Sequence, residues 1–378
     1  MTNVVLITNI AAPYREKLHE LIAEQYQNNY TVIYCAESEA DREWKFKLGN
    51  YKKIFLAKFN KTTIHNNTRI WGELKKINPD VVITDGFYPT MLYAFSWCMI
   101  KRKKHLIFTD GTLISENHLS IIHTLVRKIV FSNTKSFIGV SDGSRNLYKS
   151  YNIEEGRFFR SYLCVDNSQF KKIPFAEKEY DLMFSGRFIG LKLPFFFIEI
   201  AKQVKKDLGY CRVLILGSGV LKEEMFQKLE EYGIEYDYPG FVETKNLPEY
   251  YSKAKIFLFP TQNDTWGVVA NEAMAAGLPV ITCENAGVAH DLVINDQTGY
   301  ILPINKDIWS EKIVSILKDQ SLYERLSANA WQHVQKYNFH NAANGVTQAI
   351  RSSVRTVSVI QATYAPDLEY IFLVLLAV

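Results

Sequence analysis

No run of about 20 apolar residues occurs in the chain, so no segment reads as a membrane-spanning helix. The opening "MTNVVLITNIAAPYREK" lacks a charged leader region, and its apolar run is only five residues. It therefore reads as a first β-strand and not as a signal peptide. Cysteine is scarce: Cys35, Cys98, Cys164, Cys211 and Cys283 are scattered, odd in number and never spaced as CxxC. That excludes a disulfide frame and a zinc ribbon and suits free thiols in a reducing, cytoplasmic setting. A large excess of one charge is also missing. A net charge of +4 is too small for a nucleic-acid partner. The first strand carries no GxGxxG, which counts against a nicotinamide or flavin enzyme.

Apolar side chains and aromatics, by contrast, are plentiful enough to bury a sizeable core. At 378 residues the chain exceeds what one core usually organises, so two domains are expected. The basic residues are clumped, most densely in "KRKK" at 101–104. Two readings of that clump stay open: a solvated helix end, or a face that meets anionic lipid or phosphate.

Short β-branched runs alternate with amphipathic helical stretches, the pattern of parallel α/β sheets. The first series runs from "NVVLITNI" through "YTVIYCAE", "VVITDG" and "KKHLIFTDG" to "SFIGVS". A second series follows with "DLMFSGR", "CRVLILGSG", "IEYDYPGFV", "IFLFPT" and "PVITCE". The expected architecture is two doubly wound α/β domains, 1–170 and 178–337, joined near 166–180, with a tail of 338–378. In such sheets ligands bind beyond the carboxyl ends of the strands, so an inter-domain cleft is the expected binding place.

Two constellations carry chemistry. In "IFLFPTQNDTWGVVANEAMAAGLPV", Asp264 stands in a polar loop before a helix, and Glu272 stands eight residues on inside a small-residue helix. Trp266 and Gly267 set the helix start, where the backbone N–H groups of Val268 and Val269 can meet an anion such as a diphosphate. The core does not demand Glu272, since an unpaired buried carboxylate is costly. A hydroxyl-rich ligand would satisfy it; an acid capping its own helix or facing solvent is the other reading. In "MFSGRFIGLKLPFF", Gly186 and Arg187 end a strand and Lys192 precedes the next helix. These two cations suit a diphosphate, or else form a solvent-facing pair. "LILGSGV" adds a glycine turn at Gly217.

The order GR…K, "GSG", "PGFV", "LPEYYSKAKIFLFPT", "DTWGVVANEAMAAGLPVI" and "TGYILP" resembles the retaining GT-B glycosyltransferases of family 4. The likeness is dense from about Asp181 to Asp319 and looser over the first half, at "NIAAPYR" and "VSDGSRNLY". It implies that Arg187 and Lys192 hold the donor diphosphate, Glu272 the ribose hydroxyls and Asp264 the transferred sugar. It places the base beside Phe241 and Val242, and a loop through Ala12 over the phosphates. It also implies a last helix, around "FHNAANGVTQAIRSSV", returning to the first domain.

This sequence departs from that pattern in three places. The first acid is Asp264 where Glu is commoner, "AAP" replaces a glycine-rich first loop, and Asp110 stands where a His is frequent. Asp110 either positions an acceptor hydroxyl or caps a turn with Gly111, and His118 is a weaker alternative. The resemblance implies a hexosyltransferase that needs no metal or other cofactor. Its partners would be a nucleotide-sugar donor, a glycan or lipid-linked acceptor and an anionic membrane surface, with no nucleic acid. Its setting would be surface polysaccharide or lipopolysaccharide synthesis. A GT-B sugar-nucleotide epimerase and a non-catalytic nucleotide-sugar-binding subunit are the alternatives. For the apolar tail from about Thr356, packing on the first domain, lipid contact and a reading-frame oddity stay open.

Overall fold

The computed structural model describes residues 2–39, 47–60 and 64–355; the apolar tail lies outside them. The chain divides into two compact units, Met1–Leu163 together with the chain from Phe339, and Cys164–Asn338.

In the first unit β1 (Val4–Thr8), α1 (Pro13–Tyr26), β2 (Tyr30–Tyr34), β3 (Ser38–Glu39), β4 (Lys52–Phe55) and β5 (Phe59–Asn60) come first. Then follow α2 (Ile70–Ile77), β6 (Val81–Asp85), α3 (Pro89–Ile100), β7 (Lys104–Thr109), α4 (Leu113–Glu116) and α5 (Ile121–Asn133). β8 (Ser136–Gly139), α6 (Asp142–Ser150) and β9 (Phe158–Arg160) close this series. The strands form a parallel sheet of order β4-β2-β1-β6-β7-β8-β9, with β3 and β5 paired separately. β1 and β2 are apolar on both faces because helices cover both sides of the sheet. One core cluster joins Val5, Ile33 and Val82 to Leu74 and Trp97; another joins Ile107 and Phe137 to Val130 and Tyr148.

The second unit begins with β10 (Tyr180–Ser185), α7 (Pro194–Leu208), β11 (Arg212–Leu216), α8 (Lys222–Glu231) and β12 (Glu235–Gly240). It continues with α9 (Leu247–Ser252), β13 (Ala254–Phe259), α10 (Val268–Ala275), β14 (Val280–Thr282) and β15 (Gly299–Ile301). α11 (Lys306–Lys318) and α12 (Gln320–Val334) complete it. Its parallel sheet has the order β12-β11-β10-β13-β14-β15. Phe184, Phe197, Ile215, Ile256, Trp309 and Ile313 share its core.

The last helix, α13 (Phe339–Arg355), belongs to the first unit and packs on α1, β7, β8 and β9. Its buried stripe is Ala342, Ala343, Val346, Ala349 and Ile350, small and branched residues at helical spacing.

Candidate active site

Both sheets reverse their strand order at one point: between β1 and β6 in the first unit, and between β10 and β13 in the second. At a reversal the flanking loops diverge and leave a crevice beyond the carboxyl ends of the strands. In the second unit the loops after β10, β11, β12 and β13, together with α10, carry all the donor-side residues singled out above except Ala12, which belongs to the first unit.

The loop after β10 presents Gly186 and Arg187, whose side chain is exposed. It then makes one 3₁₀ turn, Gly190–Lys192, and enters α7 through Leu193 at φ +49°. Two bonds fasten this turn to the loop after β13. The Gln262 N–H donates to the Leu191 carbonyl at 2.9 Å, and the Thr261 hydroxyl donates to the same oxygen at 3.0 Å. That attachment puts the Lys192 ammonium in an ion pair with Asp264 Oδ2. The other carboxylate oxygen, Oδ1, accepts the Trp266 backbone N–H at 3.1 Å. Asp264 is further pinned through its own backbone, donating to Asn285 at 3.1 Å and accepting from Gly287 at 2.7 Å. A sugar-reading role would therefore be shared with both of these charge-assisted contacts.

The Trp266 side chain lies in the core. The indole is 1% exposed, donates to Asn271 Oδ1 at 2.8 Å and lies 5.7 Å from the Tyr337 ring. A ring this size stays in the core when its N–H finds a partner there, so Trp266 supports the loop from beneath. Gly267 is required twice over. Its φ is +100°, and a Cβ would lie 2.3 Å from the Phe259 ring. This compact corner lets α10 begin at Val268, with its first N–H groups directed back along the axis toward the crevice.

Glu272 is neither solvent-facing nor self-capping. It is 7% exposed, and its Oε2 accepts the Tyr251 hydroxyl at 2.7 Å. Burial pushes its carboxyl up to about 7, with the Tyr251 hydrogen bond opposing. The loops after β11 and β12 complete this rim. Gly217 donates to the Gly240 carbonyl at 3.2 Å and accepts from the Tyr238 hydroxyl at 3.0 Å. Its φ is +123°, and a Cβ would fall 1.9 Å from the Gly186 carbonyl, so only glycine lets these two loops touch. Phe241 follows, half-exposed, with Val242 next to it.

In the first unit Ala12 is the buried N-cap residue of α1, and Asp110 follows β7. His118 is exposed between α4 and α5. Sequence reasoning missed Asp85. It ends β6 at the strand reversal and accepts the Thr8 hydroxyl at 2.8 Å. Burial pushes its carboxyl up, Arg15 opposes and Asp110 adds to the rise. The available signal was an acid at the last position of a strand followed by Gly86. Among the described residues no group of three His, Cys, Asp or Glu could hold a metal.

Anabaena HepE in complex with UDP and glucose superposes over 93% of this chain and all of its own, with a TM-score of 0.70 at 14% identity. The fold is GT-B. The family described as glycosyl transferases group 1 matches residues 165–333 of this chain. The sulfoquinovosyl transferase SQD2 of Arabidopsis thaliana is 28% identical over 153 residues, 39% of this chain and 29% of that protein. The capsular polysaccharide biosynthesis glycosyltransferase CapM of Staphylococcus aureus is 25% identical over 227 residues, 57% and 56% of the two chains. This chain thus spans about a third to a half of these two relatives.

Proposed function

We propose that this chain is a hexosyltransferase that uses a UDP- or GDP-linked sugar and retains the anomeric configuration. The acceptor is a glycan or a lipid-linked glycan, in surface polysaccharide or lipopolysaccharide synthesis. One observation carries this reading: the strand reversal of the second unit gathers two cations, a helix start and a buried acid around one crevice. Arg187 and Lys192 suit a diphosphate, whose charge grows as the bond to the sugar breaks. Glu272 suits the vicinal hydroxyls of a ribose, and Asp264 a hydroxyl of the transferred sugar. Asp110 serves to position the acceptor hydroxyl. With front-side attack the departing phosphate can take the acceptor's proton, so no protein base is obligatory. The names of two similar proteins agree with this setting: CapM acts in capsular polysaccharide biosynthesis, and HepE binds UDP and glucose.

The first test is a thermal-shift screen of nucleotide sugars. A donor at a hundred times its Kd stabilises the native state by about 2.7 kcal/mol. The stabilising donor is then incubated with and without acceptor, and the released sugar is analysed. Free sugar of unchanged configuration, or transfer to acceptor, supports the transferase; an epimerised sugar overturns it. Because Arg187 and Lys192 supply the positive charge, turnover is expected to persist in EDTA. Loss of activity that Mg²⁺ or Mn²⁺ restores would contradict that part.

A further inference from the structure

Glu272 is the deepest polar group among the donor-side residues, and what holds it is Tyr251. Tyr251 is the fifth residue of α9 and is fully buried. Its ring lies 6.0 Å from Phe170 and 5.8 Å from Phe257, both part of the surrounding apolar wall. Such a ring has no freedom to leave, so its hydroxyl is a fixed point. That hydroxyl donates its one proton to Glu272 Oε2 at 2.7 Å, and the nearby Ser185 side chain partly offsets the effect of its burial. Ser185 ends β10, immediately before Gly186 and Arg187. Tyr251 thus stands between the end of β10, just before the arginine-bearing loop, and the acid on α10. Among the described residues the second oxygen of Glu272, Oε1, has no hydrogen-bond partner.

We infer that Tyr251 is a positioning residue for nucleotide recognition, clamping one oxygen of Glu272 so that the other faces the ribose hydroxyls. This rests on the donor reading above and adds a residue that touches no ligand. The chemistry is selective. A phenol this buried keeps its proton, since burial raises it well above its ordinary range. It can therefore only donate to the acid, and it favours the ionised, acceptor-only form. An ionised Glu272 accepts from a 2′,3′-diol; a protonated one offers a hydrogen where the diol already supplies two. Nucleotide affinity should accordingly rise with pH through the carboxyl's value of about 7. Removal of the phenol proton donor should move that midpoint upward, because the hydrogen bond opposes the effect of burial.

The test is calorimetric titration with UDP, GDP and their 2′-deoxy counterparts between pH 5.5 and 8.5, on the wild type, Tyr251→Phe and Ser185→Ala. The wild type is expected to prefer the ribonucleotide by about tenfold or more, the worth of a charge-assisted hydrogen bond. Tyr251→Phe should cut that preference to about threefold or less and raise the pH midpoint. Ser185→Ala should shift both in the same direction by less. If Tyr251→Phe does not fold, the same two readouts on Ser185→Ala decide. Binding that is weaker for ribo- and deoxynucleotides alike, with the preference and midpoint intact, marks Tyr251 as mere packing and overturns the inference. A wild type that binds none of these diphosphates defeats the donor reading itself, a distinct outcome.

Discussion

Lys192 and Asp264 lie only 15% and 18% exposed, and each offers its charge to the other. Their attraction is worth more there than between solvated groups, and removing one partner leaves the other uncompensated. Lys192→Ala should therefore weaken both diphosphate binding and turnover, and it should also lower stability. Arg187→Ala, at an exposed position, should reduce binding and turnover without affecting stability. Steady-state kinetics beside chemical denaturation separate the two; unchanged kinetics in both variants would remove the cations from the donor site. Asp264→Asn keeps size and retains an oxygen for the Trp266 N–H, but it loses the ionic contact with Lys192. The expected result is a turnover lower by about ten- to a hundredfold with free diphosphate still bound. Intact turnover, or abolished diphosphate binding, would dismiss the sugar-contact role.

At the scale of elements, the corner between β13 and α10 is the tightest constraint near the crevice. Gly267→Ala must either abandon φ +100° or drive a methyl into the Phe259 ring. A loss of about 1–3 kcal/mol is expected, read as a lower denaturant midpoint with unchanged slope. A variant as stable as the wild type would show that the corner can open freely. This corner was legible in the sequence because a glycine before a small-residue helix has few other uses. β1, β6, β10 and β13 were legible for a related reason, being short, largely apolar runs buried on both faces. β4 and β9 were not. β4 reads "KKIF", with two lysines and no residue fully buried, because it is an edge strand packed on one side only. Tyr251 was invisible for a different reason: "LPEYYSKA" marks an amphipathic turn, but only the tertiary fold aims one of its two tyrosines at Glu272. The burial of the Trp266 indole was likewise set by the tertiary fold, which supplies Asn271 as its partner.

Across the whole molecule charge is nearly balanced, so the basic clump after α3 stands out locally rather than globally. Lys101 and Arg102 are exposed, Lys103 and Lys104 half-buried, and the Lys104 ammonium donates to the Val354 carbonyl at 3.3 Å. No helix among the described residues is long and apolar enough to cross a membrane. If this face meets anionic lipid, each basic residue near the surface contributes roughly 1 kcal/mol, and the attraction decays within a Debye length. Cosedimentation with phosphatidylserine vesicles should then fall steeply between low and physiological salt, and Lys101→Glu with Arg102→Glu should abolish it. Binding indifferent to salt and to lipid charge would leave the clump a solvated helix end.

The return of α13 to the first unit also sets a timetable during synthesis. β1 to β9 leave the ribosome first, yet β7, β8 and β9 and helix α1 lack one of their covering surfaces until residues 339–355 have been made. The contact is close: a Cβ on Gly345 would lie 1.7 Å from the Arg160 carbonyl, so the helix backbone rests directly on β9. The second unit, Cys164–Asn338, is continuous in the chain and has no such wait. The usual order, in which the N-terminal domain folds first, should be inverted here. Ribosome-bound chains long enough to expose residue 338 but not 355 should resist protease across the second unit and be cut within the first. Release of the finished chain should then protect both, and equal protection of the first unit before α13 emerges would refute the inversion.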